Sequence, residues 1–186
     1  ELYNEKAIAA DLGISRTPVR EALLELASQD LIIFLPRRGL MVNSFTRRDV
    51  DEIFELRKAI ELAAVEKVTV AAPPFDLFEI EDALLSQRKA VKQKDYFAFM
   101  EADRLFHTSF SELTSNRRLI AILDNIRDMI HVMGAKALAL EGRAVEVIKE
   151  HQTILEAVKK GNLAEARRAM AYHLDQSKEA VVESEL

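Results

Sequence analysis

The stretch Leu12-Gly13-Ile14-Ser15-Arg16-Thr17-Pro18-Val19-Arg20-Glu21-Ala22-Leu23 constrains this chain more than any other. It reads as a helix that ends at a turn and restarts. Ser15 is suited to cap the second helix, and Pro18 falls in its first turn, where a missing amide hydrogen costs nothing. Val19, Leu23 and Leu26 supply the stripe expected to be buried, which leaves Arg16, Thr17 and Arg20 pointing outward. Arginine presents a planar fork of donors that matches a guanine edge or a phosphate, and the free amides of a helix start also suit a phosphate. The second helix is therefore a candidate for reading the DNA major groove.

Two short apolar, β-prone runs follow, Leu31-Ile32-Ile33-Phe34 and Leu40-Met41-Val42, around Pro36-Arg37-Arg38-Gly39. They predict a hairpin with a basic tip. Placed beside the recognition helix, such a wing lets Arg37 and Arg38, with Gly39 in the turn, reach the DNA backbone or minor groove. The order of helix, turn, capped Arg helix and basic hairpin resembles the winged helix-turn-helix of GntR-family bacterial transcription regulators. Members of that family begin with a further helix ahead of a segment like Leu2-Tyr3-Asn4-Glu5. The resemblance thus implies that the winged unit of residues 1–45 is incomplete.

The net charge of −5 is unusual for a nucleic-acid binder until it is divided along the chain. Residues 1–48 carry seven Lys/Arg against six Asp/Glu, and residues 49–186 carry nineteen against twenty-five, so the acidity belongs to the second part. A local basic face of Lys6, Arg16, Arg20, Arg37 and Arg38 is enough for the head, while an acidic body resists nonspecific binding. The absence of cysteine excludes disulfides and thiolate metal sites and fits a reducing cytoplasm. No stretch approaches the roughly twenty uncharged apolar residues that span a bilayer, so no membrane partner is expected.

From Thr46 onward the pattern is helical throughout. Thr46-Arg47-Arg48-Asp49 resembles a capping box, and Val50, Ile53, Phe54, Leu56, Ile60, Leu62, Ala63 and Val65 follow with helical period. Pro73-Pro74 should end this helix. Five more are predicted at 76–93, 95–114, 117–139, 141–160 and 163–183, with breaks at Lys94-Asp95, Ser115-Asn116, Glu141-Gly142 and Gly161-Asn162. The fold class is mainly α: a winged helix-turn-helix over 1–45, then an all-α six-helix bundle over 46–186.

The bundle carries four histidines, at 107, 131, 151 and 173. Asp103 and His107 share a helix face, and Leu105, Phe106 and Phe110 around them imply burial. His151 lies ten residues before Gly161 and His173 eleven after Asn162, so an antiparallel hairpin brings the two imidazoles to one height. One carboxylate and three imidazoles suit Zn²⁺, Ni²⁺, Mn²⁺ or Fe²⁺; histidines satisfied by neighbouring carboxylates or solvent are the alternative. Asp103-x-x-x-His107, Glu150-His151-x-x-Ile154 and Ala169-Met170-x-x-His173 resemble the metal signature of the FCD ligand-binding domain, found in the FadR subfamily of GntR regulators. That resemblance implies a divalent metal, zinc foremost, on Asp103, His107, His151 and His173.

Arg57 matches a position the family keeps, which implies a guanidinium that pairs with a ligand carboxylate or a metal-shell carboxylate. A simple bridge to Glu61, four residues on, is the competing reading. His131 either lines the cavity or packs in the core, Asn116 opens a helix as its cap, and Arg117-Arg118 is solvated surface. Six helices after the wing resemble the VanR-type subgroup. The whole implies a cytoplasmic homodimer that binds a palindromic DNA operator and responds to a small organic acid held by the metal and Arg57. A metalloenzyme built on the same four ligands, or a purely structural metal, are the other readings.

Overall fold

The structure, a computed structural model, describes residues 2–71, 74–138 and 140–185, the side chain of Glu185 excepted. It divides into two compact units, Glu1–Thr46 and Arg47–Leu186.

In the first unit α1 (Glu5–Leu12) starts where the Asn4 side chain accepts from the Lys6 amide at 2.8 Å. It stops at Gly13, whose left-handed φ of 67° lets its amide close the helix on Ala10. After the turn comes α2 (Arg16–Ser28). Ser15 occupies the capping position in extended conformation, but its side chain makes no capping bond, contrary to expectation. The turn is already fixed by the amides of Gly13 and Ile14, bonded to Ala10 and Ala9. Leu26 is a second correction: it is exposed, because the buried stripe runs Val19, Leu23, Ala27 at four-residue steps.

The wing pairs β1 (Ile32–Leu35) with β2 (Gly39–Val42), antiparallel, in the register Leu35↔Gly39 to Ile32↔Val42. Its first strand begins one residue later than the apolar run, and Leu31 is buried at the strand's entry. Tyr3 extends the sheet by exchanging two backbone bonds with Leu40, at 2.8 and 2.9 Å. Gly39 lies under that contact with φ of 112°, and a Cβ there would collide with the Tyr3 carbonyl oxygen. Only glycine satisfies both demands. Ala9, Val19, Leu23, Ile32 and Leu40 form this unit's core.

The second unit is built of α3 (Arg47–Thr69), α4 (Phe78–Gln93), α5 (Tyr96–Leu113), α6 (Arg117–Ala137), α7 (Arg143–Lys159) and α8 (Leu163–Glu185). The expected punctuation holds: Asp95 and Asn116 cap α5 and α6 with their side chains, and Gly161 turns the chain at φ of 64°. The first helix ends at Thr69, before the prolines; Pro73 lies outside the described residues. Phe106, Phe110, Ile154, Met170 and Leu174 are almost wholly buried at the centre of the main core, with Ala64, Val65 and Ile80. Leu56 and Leu105, read from the sequence as part of the buried pattern, are instead exposed by about half, since each helix keeps a solvated back.

Candidate metal centre and nucleic-acid face

Each of the three buried histidines comes from a different helix: His107 from α5, His151 from α7 and His173 from α8. The α7–α8 turn brings His151 Nε2 within 3.2 Å of His173 Nε2, and His107 Nε2 lies 3.2 Å from His173 Nε2 on the other side. Packing fixes the rings. Phe106 stacks flat on His151 with centroids 3.9 Å apart, and meets His107 edge-on at 5.4 Å.

The outer nitrogen of every ring is engaged. His107 Nδ1 bonds Glu61 Oε2 at 2.5 Å, His151 Nδ1 bonds Gln87 Oε1 at 2.9 Å, and His173 Nδ1 bonds Glu150 Oε2 at 2.6 Å. All three partners are acceptors, so each Nδ1 carries the hydrogen and each Nε2 keeps its lone pair. Three lone pairs then converge with no proton between them. That arrangement is unfavourable alone and is relieved by a cation, so the donor set fits a metal.

Electrostatics support neutral rings at His151 and His173. Burial, then the neighbouring histidines, push His151 well below the ordinary imidazole range, and burial also lowers His173 against the opposing pull of Glu150. Burial opposes ionisation of Glu61 and Glu150, but their hydrogen-bonded partners prevail: His107 and Arg57 hold Glu61 low, and His173 and Arg143 hold Glu150 low. Arg57 Nε donates to Glu61 Oε1 at 2.6 Å, and Arg143 grips Glu150 with two bonds of 2.6 and 3.0 Å. Both arginines are themselves buried.

Asp103 stands at the rim. Its oxygens lie 3.9 Å from His107 Nε2 and 3.8 Å from His151 Nε2, and one accepts from the Gln87 amide at 3.1 Å. Of the two readings of Arg57, the bridge to Glu61 is present, and Glu61 in turn accepts from a cluster histidine. Arg57 also lines two cavities that share Met100, Asp103 and Ile130; one reaches His173 and the other His107. His131 is half-buried in the wall of the second, with its Nδ1 4.0 Å from Glu101. Gln87 and Arg143 carried no signal in the sequence, while Glu61 and Glu150 were visible only as neighbours of Arg57 and His151.

On the winged unit Lys6, Ser15, Arg16, Thr17, Arg20, Arg37 and Arg38 are all exposed. Arg16 is held by Glu5, its Nη2 3.0 Å from the carboxylate. Arg37 turns the wing tip with φ of 62°.

Residues 2–42 match the gntR family of bacterial regulatory proteins, and residues 52–176 match the FCD domain. The HTH-type transcriptional regulator YdhC of Bacillus subtilis (strain 168) is 31% identical over 176 residues, 94% of this chain and 79% of that protein. The HTH-type transcriptional repressor RspR of Escherichia coli (strain K12) is 26% identical over 178 residues, 96% and 78% of the two chains. The solved structure of E. coli McbR/YncC is similar with a TM-score of 0.82 at 26% identity, covering 100% of this chain and 89% of that one. This chain belongs to the GntR family of bacterial transcription regulators and carries an FCD domain; it is a regulator of transcription, not an enzyme.

Proposed function

We propose that this regulator is a metal-dependent sensor of small organic acids, of the six-helix VanR type, acting in the cytoplasm as a homodimer on a palindromic operator. The observation that carries the reading is the convergence of three Nε2 atoms whose rings are each locked from behind by Glu61, Gln87 or Glu150. His107, His151 and His173 would hold the metal, with Asp103 closing the set from 3.8 and 3.9 Å away from two of them. When bound, a divalent transition metal, zinc foremost and nickel, manganese or iron next, supplies a cationic anchor for a carboxylate. Arg57 spends Nε on Glu61, leaving its terminal nitrogens as donors to an anion in the cavities it lines.

DNA reading falls to Arg16, Thr17 and Arg20 on α2, while Lys6, Ser15, Arg37 and Arg38 serve the phosphates and Gly39 shapes the wing. Two heads related by a two-fold axis would address half-sites about one helical turn apart. Effector binding would change operator affinity by a coupling of about 1–3 kcal/mol.

Elemental analysis of protein purified without chelator tests the metal: His151→Ala combined with His173→Ala should abolish it, whereas His131→Ala should retain it. Calorimetry with a panel of organic acids on loaded and chelated protein tests the effector. Binding should require metal, and Arg57→Ala should weaken it by about 1.5–3 kcal/mol. Equal metal in the double variant and the parent sinks the centre. A tight acid that leaves operator affinity unchanged sinks the sensor.

A further inference from the structure

The second cavity is walled by two helix stripes. Met100, Asp103, Arg104, His107 and Thr108 come from α5, at steps of three, four, seven and eight residues, and Leu123, Arg127, Ile130 and His131 come from α6, at steps of four, seven and eight. One end of this space touches His107 and Glu61, the metal end. Arginines elsewhere in the wall have no role in that centre.

Arg104 is half-buried and has no hydrogen-bond or ion-pair partner among the described residues. Arg127 bonds Asp124 through Nη1 at 2.8 Å, but its Nε is buried without a partner, 3.8 Å from Asp128. A buried N–H with no acceptor is costly. By contrast Arg57, in the same wall, is matched by Glu61. Among the described residues Arg104 is thus left with no acceptor, and Arg127, although flanked by Asp124 and Asp128, keeps one buried N–H without a hydrogen bond.

We infer that Arg104 and Arg127 form a second anion subsite, so that the effector is dianionic. One oxyanion lies at the metal end, beside Arg57, and the other is held between α5 and α6. The shared chemistry is a small acid with a second carboxylate or a phosphate a few bonds from the first. This rests on the organic-acid reading above and narrows its ligand class.

Calorimetry on metal-loaded protein compares two pairs of probes, L-lactate with L-malate and D-glycerate with 3-phospho-D-glycerate. Within each pair the chelating hydroxy-acid head is the same and only the distal anion differs. At least one pair should show a preference of about tenfold or more for the dianion, the carboxylate and phosphate arms separating the two sources. Arg104→Gln with Arg127→Gln should reduce that ratio to about twofold or less, while Arg117→Gln on the exposed surface should leave it intact. Should the double variant lose its cooperative melt, Arg104→Gln alone, which removes no bond, must still lower the ratio. Lactate and glycerate binding with no preference for either dianion overturns this subsite and leaves the sensor standing, as does a preference that survives the arginine variants. If none of the four acids binds, both readings fall.

Discussion

The winged unit keeps its polar chemistry outside and the helical unit keeps its own inside. In the winged unit the arginines are exposed and the core gathers Ala9, Val19, Leu23, Ile32 and Leu40. In the helical unit Arg57, Glu61, Gln87, His107, Arg143, His151 and His173 are all buried. An exposed arginine waits for a partner whose phosphates replace its water, so its removal affects binding and little else. A buried charged group is part of the fold, and its neighbours were desolvated on its account. The same residue type is thus solvated in one unit and part of the packed interior in the other.

The strongest test of that contrast is Glu61→Ala, which strands buried Arg57 and frees His107 Nδ1. Urea unfolding should register a loss of about 3–5 kcal/mol, and metal affinity should fall about 10- to 100-fold. Glu61→Gln, which keeps an acceptor, should fall between variant and parent. A stability change as small as that of a surface site would erase the distinction between the units.

Acidification of chelated protein tests the same point without mutation. His151 and His173 are held below the ordinary imidazole range, so the unfolded chain binds protons that the folded state refuses. Their contribution to stability is complete above the unfolded value of about 6.5 and is lost as pH falls through the lower folded values. Glu61 and Glu150, also held low, add a second loss below the unfolded carboxyl value of about 4.3. Urea midpoints that stay constant from neutral to mildly acidic pH would contradict this order.

Arg20→Ala sharpens the other side. Operator affinity should fall by about 1–3 kcal/mol with relaxed preference at one base pair, and substitutions at Arg37 and Arg38 should weaken all sequences alike and flatten the salt dependence. The smallest effect is expected for Arg16→Ala, read as unfolding free energy: its pair with Glu5 is exposed on the arginine side, and such pairs contribute about 0–1 kcal/mol. Footprinting and thermal melts together give both readouts.

The contrast also explains what was legible in the sequence. The helix-turn-helix, the wing and six bundle helices are local, and Gly13, Asp95, Asn116 and Gly161 mark their ends by rules that need only near neighbours. The histidines were legible because Asp103 and His107 are one turn apart and a single turn at Gly161 aligns His151 with His173. Gln87 was not, since its meaning arises only when α4 is packed so that one amide meets His151 on α7 and Asp103 on α5. Glu61 is 46 positions from the imidazole it holds, and Arg143 gives its bidentate grip to a carboxylate two turns on. Leu26 and Ser15 failed for a different reason: a residue-type preference was outcompeted, in one case by the neighbouring Ala27 and in the other by backbone bonds.

Each buried carboxylate behind the histidine cluster has its own arginine, Glu61 with Arg57 and Glu150 with Arg143. These couples are neutral as they stand and draw little on whatever enters the cluster. A cation bound at the three Nε2 atoms would keep most of its field for the open cavity side, offset by Asp103 alone. The outer arrangement works as insulation: it lets the rings be aimed by strong acceptors without those acceptors cancelling the charge at the front. Exchange of Arg143 for a neutral residue should therefore weaken the hold on an anionic ligand through the cluster itself, by letting Glu150 pull on it unopposed.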